Sequence, residues 1–131
     1  MPGPQEWCGP GRIMRIDCRE EGSILRVDLS GGDVLDGRSI GTLRREVEER
    51  LAGRDGVILS LEGIHEIDSA GLGGLVALLS AVRRPGARLV LVDVAERPLS
   101  LMRMTRLTSV LEIARDESAA REALLSDRAL A

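Results

Sequence analysis

The stretch Leu61-Glu62-Gly63-Ile64-His65-Glu66-Ile67-Asp68-Ser69-Ala70-Gly71-Leu72-Gly73-Gly74-Leu75 decides the fold. Ahead of it, Gly56-Val57-Ile58-Leu59-Ser60-Leu61 is a short continuous apolar run, the form a strand takes when both its faces are covered. Behind it, Leu72, Leu75, Val76 and Leu79 recur at helical spacing, and Pro85-Gly86 closes the segment. The stretch therefore reads as strand, short loop and helix N-terminus, with helix predicted over 69–82. Unpaired N–H groups and the positive end of the helix dipole converge at such a point. Ser69 can cap the helix there, or its hydroxyl can stand beside a bound anion or carry a phosphate itself. Asp68 is an equally ordinary capping residue.

Gly71, Gly73 and Gly74 each cost about 1 kcal/mol relative to Ala in a helix interior. Close approach of another backbone or side chain has to compensate, and either a neighbouring strand or a partner protein lying over the helix start could supply it.

Outward from this stretch the chain alternates. Residues 88–94 (Arg-Leu-Val-Leu-Val-Asp-Val) repeat the buried-strand pattern. Over 39–51, Ile40, Leu43, Val47 and Leu51 form an apolar stripe, with Arg44, Arg45, Glu46, Glu48 and Glu49 mostly opposite, and Asp36 or Ser39 as the N-cap. Residues 13–18 and 24–30 read as a hairpin across the polar turn Arg19-Glu20-Glu21-Gly22. Further on come a short helix over 98–104, an edge strand over 110–113 and a terminal helix over 117–126. Strands alternating with helices predict an α/β domain built on a mixed, mostly parallel sheet, with a leading antiparallel hairpin and about four helices.

Residues 1–12 carry Pro2, Pro4, Pro10, Gly3, Gly9 and Gly11, which suit neither a helix nor a central strand. They read as a flexible tail or a capping arm that includes Trp7, the sole aromatic residue. The domain is expected over 13–126, with a short C-terminal tail over 127–131.

A chain of 131 residues can bury a self-sufficient core as one domain. With 44% hydrophobic and 30% charged residues its composition is globular. All 18 cationic side chains are Arg, yet the formal net charge is -3 and the pI near 5.3, so the chain as a whole has no general attraction to nucleic acid or anionic lipid. Cys8 and Cys18 alone make neither a disulfide framework nor a zinc site, which fits a reducing cytoplasm. No apolar run approaches the ~20 residues of a membrane span, and the first residues lack the pattern of a signal peptide. A soluble, cytoplasmic protein without membrane insertion is expected.

Two enzymatic readings fail on spacing. A nucleophile elbow at Ser69 requires Gly two residues earlier, where Ile67 stands, and His65, Asp68 and Ser69 are crowded into five residues. Gly71-Leu72-Gly73-Gly74 has Val76 where a dinucleotide fingerprint needs its third Gly. No catalytic residue, metal or cofactor is implied. Arg97, Arg103 and Arg106 with Arg83 and Arg84 could form a basic face suited to an acidic partner, although such runs are usually solvated faces.

The run Ile67-Asp68-Ser69-Ala70-Gly71-Leu72-Gly73 resembles the Asp-Ser-Ser/Thr-Gly-Leu-Gly signature of STAS domains, above all the bacterial anti-sigma factor antagonists. The order of elements over 13–125 agrees, including Leu29-Ser30-Gly31 at the hairpin end and the segments 98–107 and 111–113. The resemblance implies a non-catalytic STAS domain that binds an anti-sigma factor which is also a serine kinase. In that family the Ser after the Asp is the phosphorylation site, here Ser69, and a phosphatase could reverse the modification. It further implies a partner-binding surface at Glu66, Asp68, Ala70, Gly71 and Leu72, with Asp33 and Asp36 on a neighbouring loop. The alternative it leaves is a STAS scaffold or transporter-associated subunit that is never phosphorylated. Three positions depart from the family pattern. Ala70 replaces a Ser or Thr, Val34 stands between Asp33 and Asp36 where an acidic residue is usual, and Arg106 replaces a frequent Gly that suits a left-handed helix end.

Overall fold

The computed structural model describes residues 5–9 and 12–130, with side chains over 14–125. In chain order the elements are β1 (Gln5–Gly9), β2 (Arg12–Glu21), β3 (Ile24–Ser30), β4 (Val34–Leu35), α1 (Gly37–Arg50), β5 (Gly56–Ser60), β6 (Glu66–Ile67), α2 (Ser69–Arg83), β7 (Arg88–Val92), α3 (Glu96–Met104), a 3-10 turn (Leu107–Ser109), β8 (Glu112–Ala114) and α4 (Glu117–Leu130). Among the described residues six strands make one sheet in the order β1-β2-β3-β5-β7-β8, and β4 and β6 make a separate parallel pair. β1, β2 and β3 are antiparallel; β3, β5, β7 and β8 are parallel. This is the mixed sheet with a leading hairpin that the alternation of patterns predicts.

One correction concerns the N-terminus. Within the expected tail, Gln5–Gly9 pairs with Arg12–Glu21 as an edge strand. A sequence rich in Pro and Gly is compatible with that placement because an edge leaves one side of the strand unpaired.

The central strands read as continuous apolar runs because both faces are covered. β5 is buried along its whole length. One face carries the main core, in which Val57, Leu59, Leu89 and Leu91 meet Leu43 and Val47 of α1, Leu75, Leu78, Leu79 and Val82 of α2, and Met102 of α3. On the other face α4 lays Ala120 and Leu124 against Ile24, Ile58, Val90 and Val92. Gly56 makes this seat possible, since a Cβ there would lie 2.7 Å from a Leu124 methyl. Charge pairs rim the α4 side: Arg26 reaches Glu117, and Arg121 reaches both Glu21 and Glu117.

The buried stripe of α2 is Leu75, Leu78, Leu79 and Val82, whereas Leu72 and Val76 are half-buried. The helix packs against both the sheet and α1, so its buried stripe is turned from the one read off the sequence. In α1, Glu46 faces inward rather than out, and its carboxylate accepts a hydrogen bond from Arg50 at 2.7 Å.

Candidate functional site

Two residues of β4 and two of β6 organise the site. Val34 pairs with Glu66 and Leu35 with Ile67 in parallel register, so the positions that follow, Asp36 and Asp68, leave the pair side by side. Each then caps a helix. Asp36 accepts from the Ser39 backbone N–H at 3.0 Å, while the Ser39 hydroxyl accepts from the Asp36 N–H at 3.0 Å, a reciprocal capping box. Asp68 accepts from the Gly71 N–H at 2.7 Å. The loops are stitched by backbone bonds: the Asp33 carbonyl accepts from His65 and Glu66 at 2.8 and 3.1 Å, and the Leu35 carbonyl from Asp68 at 3.2 Å. A two-strand ladder thus sets two helix N-termini next to each other.

Three glycines allow this proximity. A Cβ on Gly71 would stand 2.8 Å from the Leu35 carbonyl carbon and closer still to its oxygen. On Gly74 it would come within 3.0 Å of the Ile40 Cβ, and on Gly37 within 3.1 Å of the Ala70 Cβ. The absent side chains of Gly71 and Gly74 therefore answer to internal packing between α1, β4 and α2. Gly73 is different: it is exposed, and a Cβ there would meet nothing within 4 Å.

Ser69 is the first residue of α2 and is exposed. The cap is Asp68 and not Ser69, which leaves the Ser69 hydroxyl with no hydrogen-bond partner among the described residues. Glu66, Asp68 and Ala70 are exposed around it, and Leu72 is half-buried. Gly71, expected on the contact surface, is buried beneath the Leu35 carbonyl and supports that surface from below. Asp33 and Asp36 are half-buried on the adjoining loop. Hydrogen bonding by the Ser39 backbone N–H and hydroxyl holds the Asp36 carboxyl below its ordinary pKa, against a smaller opposing effect of burial.

Beside Asp68 an open groove of ≈ 240 Å³ is lined by Val34, Glu66, Ile67, Asp68, Arg97 and Leu101. Arg97, in the first turn of α3, spans it with a 2.8 Å ion pair to Glu66. The sequence offered Arg97 only as part of a basic run, because nothing local to α3 reveals that the helix docks against β6. Among the described residues no cluster of His, Cys, Asp and Glu is placed to hold a metal. His65, Asp68 and Ser69 make no mutual hydrogen bond, so the residues of a hydrolase reading are adjacent without forming a relay. No described helix is long and apolar enough to cross a membrane.

The domain thus combines a mixed sheet, helices on both of its faces and an exposed serine at the first position of α2. The family model for the STAS domain matches residues 15–120, and this chain belongs to that family. Solved structures agree on the fold. An anti-sigma factor antagonist from Mycobacterium paratuberculosis is similar with a TM-score of 0.71 at 15% identity, over 85% of this chain and 93% of that one. The Bacillus cell fate determinant SpoIIAA, also an anti-sigma factor antagonist, matches at 15% identity in two forms. The unphosphorylated form gives a TM-score of 0.69 over 85% of this chain and 96% of that one. Its phosphorylated form gives 0.62 over 82% and 98%. The murine anion transporter Slc26a9 matches with a TM-score of 0.69 at 13% identity, over 84% of this chain and 19% of the transporter.

Proposed function

We propose that this chain is an anti-sigma factor antagonist whose unmodified form binds an anti-sigma factor that is also a serine kinase, and that phosphorylation of Ser69 ends the binding. Release of the sigma factor by this binding would regulate sigma-dependent transcription, in the cytoplasm. The observation that carries the reading is the Ser69 hydroxyl, exposed at the first position of α2 and relieved of capping by Asp68.

The chemistry is simple. The Ser69 oxygen forms a bond to the γ-phosphorus of ATP, ADP departs, and the hydroxyl proton passes to the kinase. The domain is the substrate of this step and contributes no catalytic group. A phosphate adds a charge of about -1.5 to -2 beside the Asp68 carboxylate, while Arg97 is already engaged with Glu66. A partner surface docked on the bare hydroxyl then meets like charge and a group that is costly to desolvate. Binding is lost without refolding, since the sheet and both helix caps stay as they are.

The contact surface in this reading is formed by Glu66, Asp68, Ala70 and Leu72 around Ser69, supported by Gly71 and the Asp33–Asp36 loop. Binding of a histidine-kinase-like ATPase encoded near this chain, measured with Ser69→Asp and Ser69→Ala, tests it. Ser69→Ala should retain the complex and Ser69→Asp should lose it. Equal binding of both variants favours a second reading, a STAS scaffold or transporter-associated subunit. The fold likeness to the anion transporter speaks for that second reading.

A further inference from the structure

At the far end of α2 from Ser69 the surface changes character. Fourteen helical steps separate Ser69 from Arg83, roughly 21 Å at the rise of an α-helix. There Arg83 donates to the carbonyl of Val110 at 3.4 Å, which joins the end of α2 to the 3-10 turn. Met104 at the end of α3 is 80% exposed and Val110 41% exposed, two of the three large apolar side chains that stand in solvent among the described residues. Arg84 follows Arg83 in the chain, Arg106 stands between Met104 and Val110 in sequence, and both are exposed; among the described residues none of Arg83, Arg84 and Arg106 has a carboxylate partner. No Asp or Glu occurs between Glu96 and Glu112, or between Asp68 and Asp93, so the positive charge is not offset locally.

Arg106 adds a second observation. It adopts φ 63, the left-handed conformation, which costs a residue with a Cβ about 1 kcal/mol that Gly would avoid. That strain presents a long cationic side chain which forms no ion pair within the described domain. Helix-dipole complementarity accounts for Arg83 and Arg84 at the end of α2, but it does not account for a strained Arg106 or for Met104 in water.

We propose that Arg83, Arg84 and Arg106, with Met104 and Val110, form a second docking surface for an acidic amphipathic segment of a partner protein, and that this surface operates independently of Ser69. Charge complementarity selects the occupant. The patch is cationic on a chain of net charge -3, and its two apolar side chains suit a segment with carboxylates flanking one or two apolar anchors, read at helical spacing. Unbranched Met104 can adapt to such an anchor. A polyanion such as DNA would feel the net negative charge of the whole domain. A second copy docking by this patch onto a different acidic face would give a heterologous contact that does not close.

The test uses a fluorescently labelled synthetic peptide alternating Glu and Leu at helical spacing, with the full chain as receptor and anisotropy as readout. Wild type and Ser69→Asp should bind it equally. Arg84→Glu with Arg106→Glu should weaken binding about tenfold or more, and Met104→Ser should weaken it as well. Arg106→Gly guards against misfolding: it should raise the melting temperature by relieving strain and yet weaken the peptide. The proposal is overturned if charge reversal leaves peptide binding unchanged, or if Arg106→Gly alters stability alone. It is equally overturned if the patch variants lose binding only to anionic vesicles or duplex DNA, or only self-association in sedimentation.

Discussion

Gly71 and Leu35 touch so closely that a Cβ at position 71 would stand 2.8 Å from the Leu35 carbonyl carbon and closer still to its oxygen. The same carbonyl accepts the Asp68 N–H at 3.2 Å. A methyl group here cannot be absorbed by a side-chain rotation, because what it meets is backbone. Gly71→Ala should therefore destabilise the domain by about 3 kcal/mol, seen as a lower urea midpoint. A loss below about 1 kcal/mol would mean that α2 can move off β4 without consequence.

Gly73, two residues further on and in the open on the opposite side of the helix, should behave oppositely. With nothing within 4 Å of a new Cβ, Gly73→Ala should stabilise the helix by about 0.5 to 1 kcal/mol. If the partner kinase lies over the helix start, the same methyl should also weaken its binding. Thermal melting and a pull-down with the kinase read the two effects separately. A stabilised variant with unchanged binding would place the partner elsewhere.

The contrast between these two glycines shows what could be read in advance. Strands β5 and β7 were legible because a strand buried on both faces must be apolar throughout, and α1 and α2 because their stripes recur at helical spacing. The start of α2 was legible as a capped helix N-terminus. Whether the glycines served packing or a partner was not, since Leu35 and Gly71 meet through a ladder only two residues long, with no periodicity to detect. Likewise, the choice between Asp68 and Ser69 as the cap depends on one residue of helix phase. The docking of Arg97 against Glu66 depends on where α3 turns back, and no local pattern encodes that. In β1 the composition of the flanks, with Pro4 and Pro10, concealed an edge strand between them.

Acid should weaken the Asp36 cap at the start of α1. The carboxyl of Asp36 titrates below its ordinary value of 3.8 because it accepts hydrogen bonds from Ser39. A depressed folded pKa contributes stability that is complete above the unfolded value and is lost as pH falls through the folded one. Asp36→Asn should keep the cap and remove this part of the acid sensitivity, while Asp36→Ala should cost about 1 kcal/mol at neutral pH. Urea titrations at neutral pH and below pH 3.8 compare them. An unchanged acid slope in Asp36→Asn contradicts the assignment.

Cys18 should be chemically quiet. It is half-buried against the main core, and burial pushes its thiol up to about 11, with Arg50 opposing the shift. In a Cys8→Ser background, alkylation by iodoacetamide near neutral pH should run roughly a hundredfold slower than for a free thiol, because the thiolate is the reactive species. Labelling at the rate of an exposed cysteine contradicts that burial.

If Ser69 is the phosphate acceptor, its modification should break the partner complex. The most direct measurement incubates the chain with a candidate histidine-kinase-like ATPase and magnesium ATP, then follows intact mass and complex formation on the same sample. One phosphate should be gained, fragmentation should place it on Ser69, Ser69→Ala should gain none, and the phosphorylated fraction should elute free of the kinase. A phosphate on another residue, or a phosphorylated chain that stays bound as tightly as the unmodified one, would contradict the account.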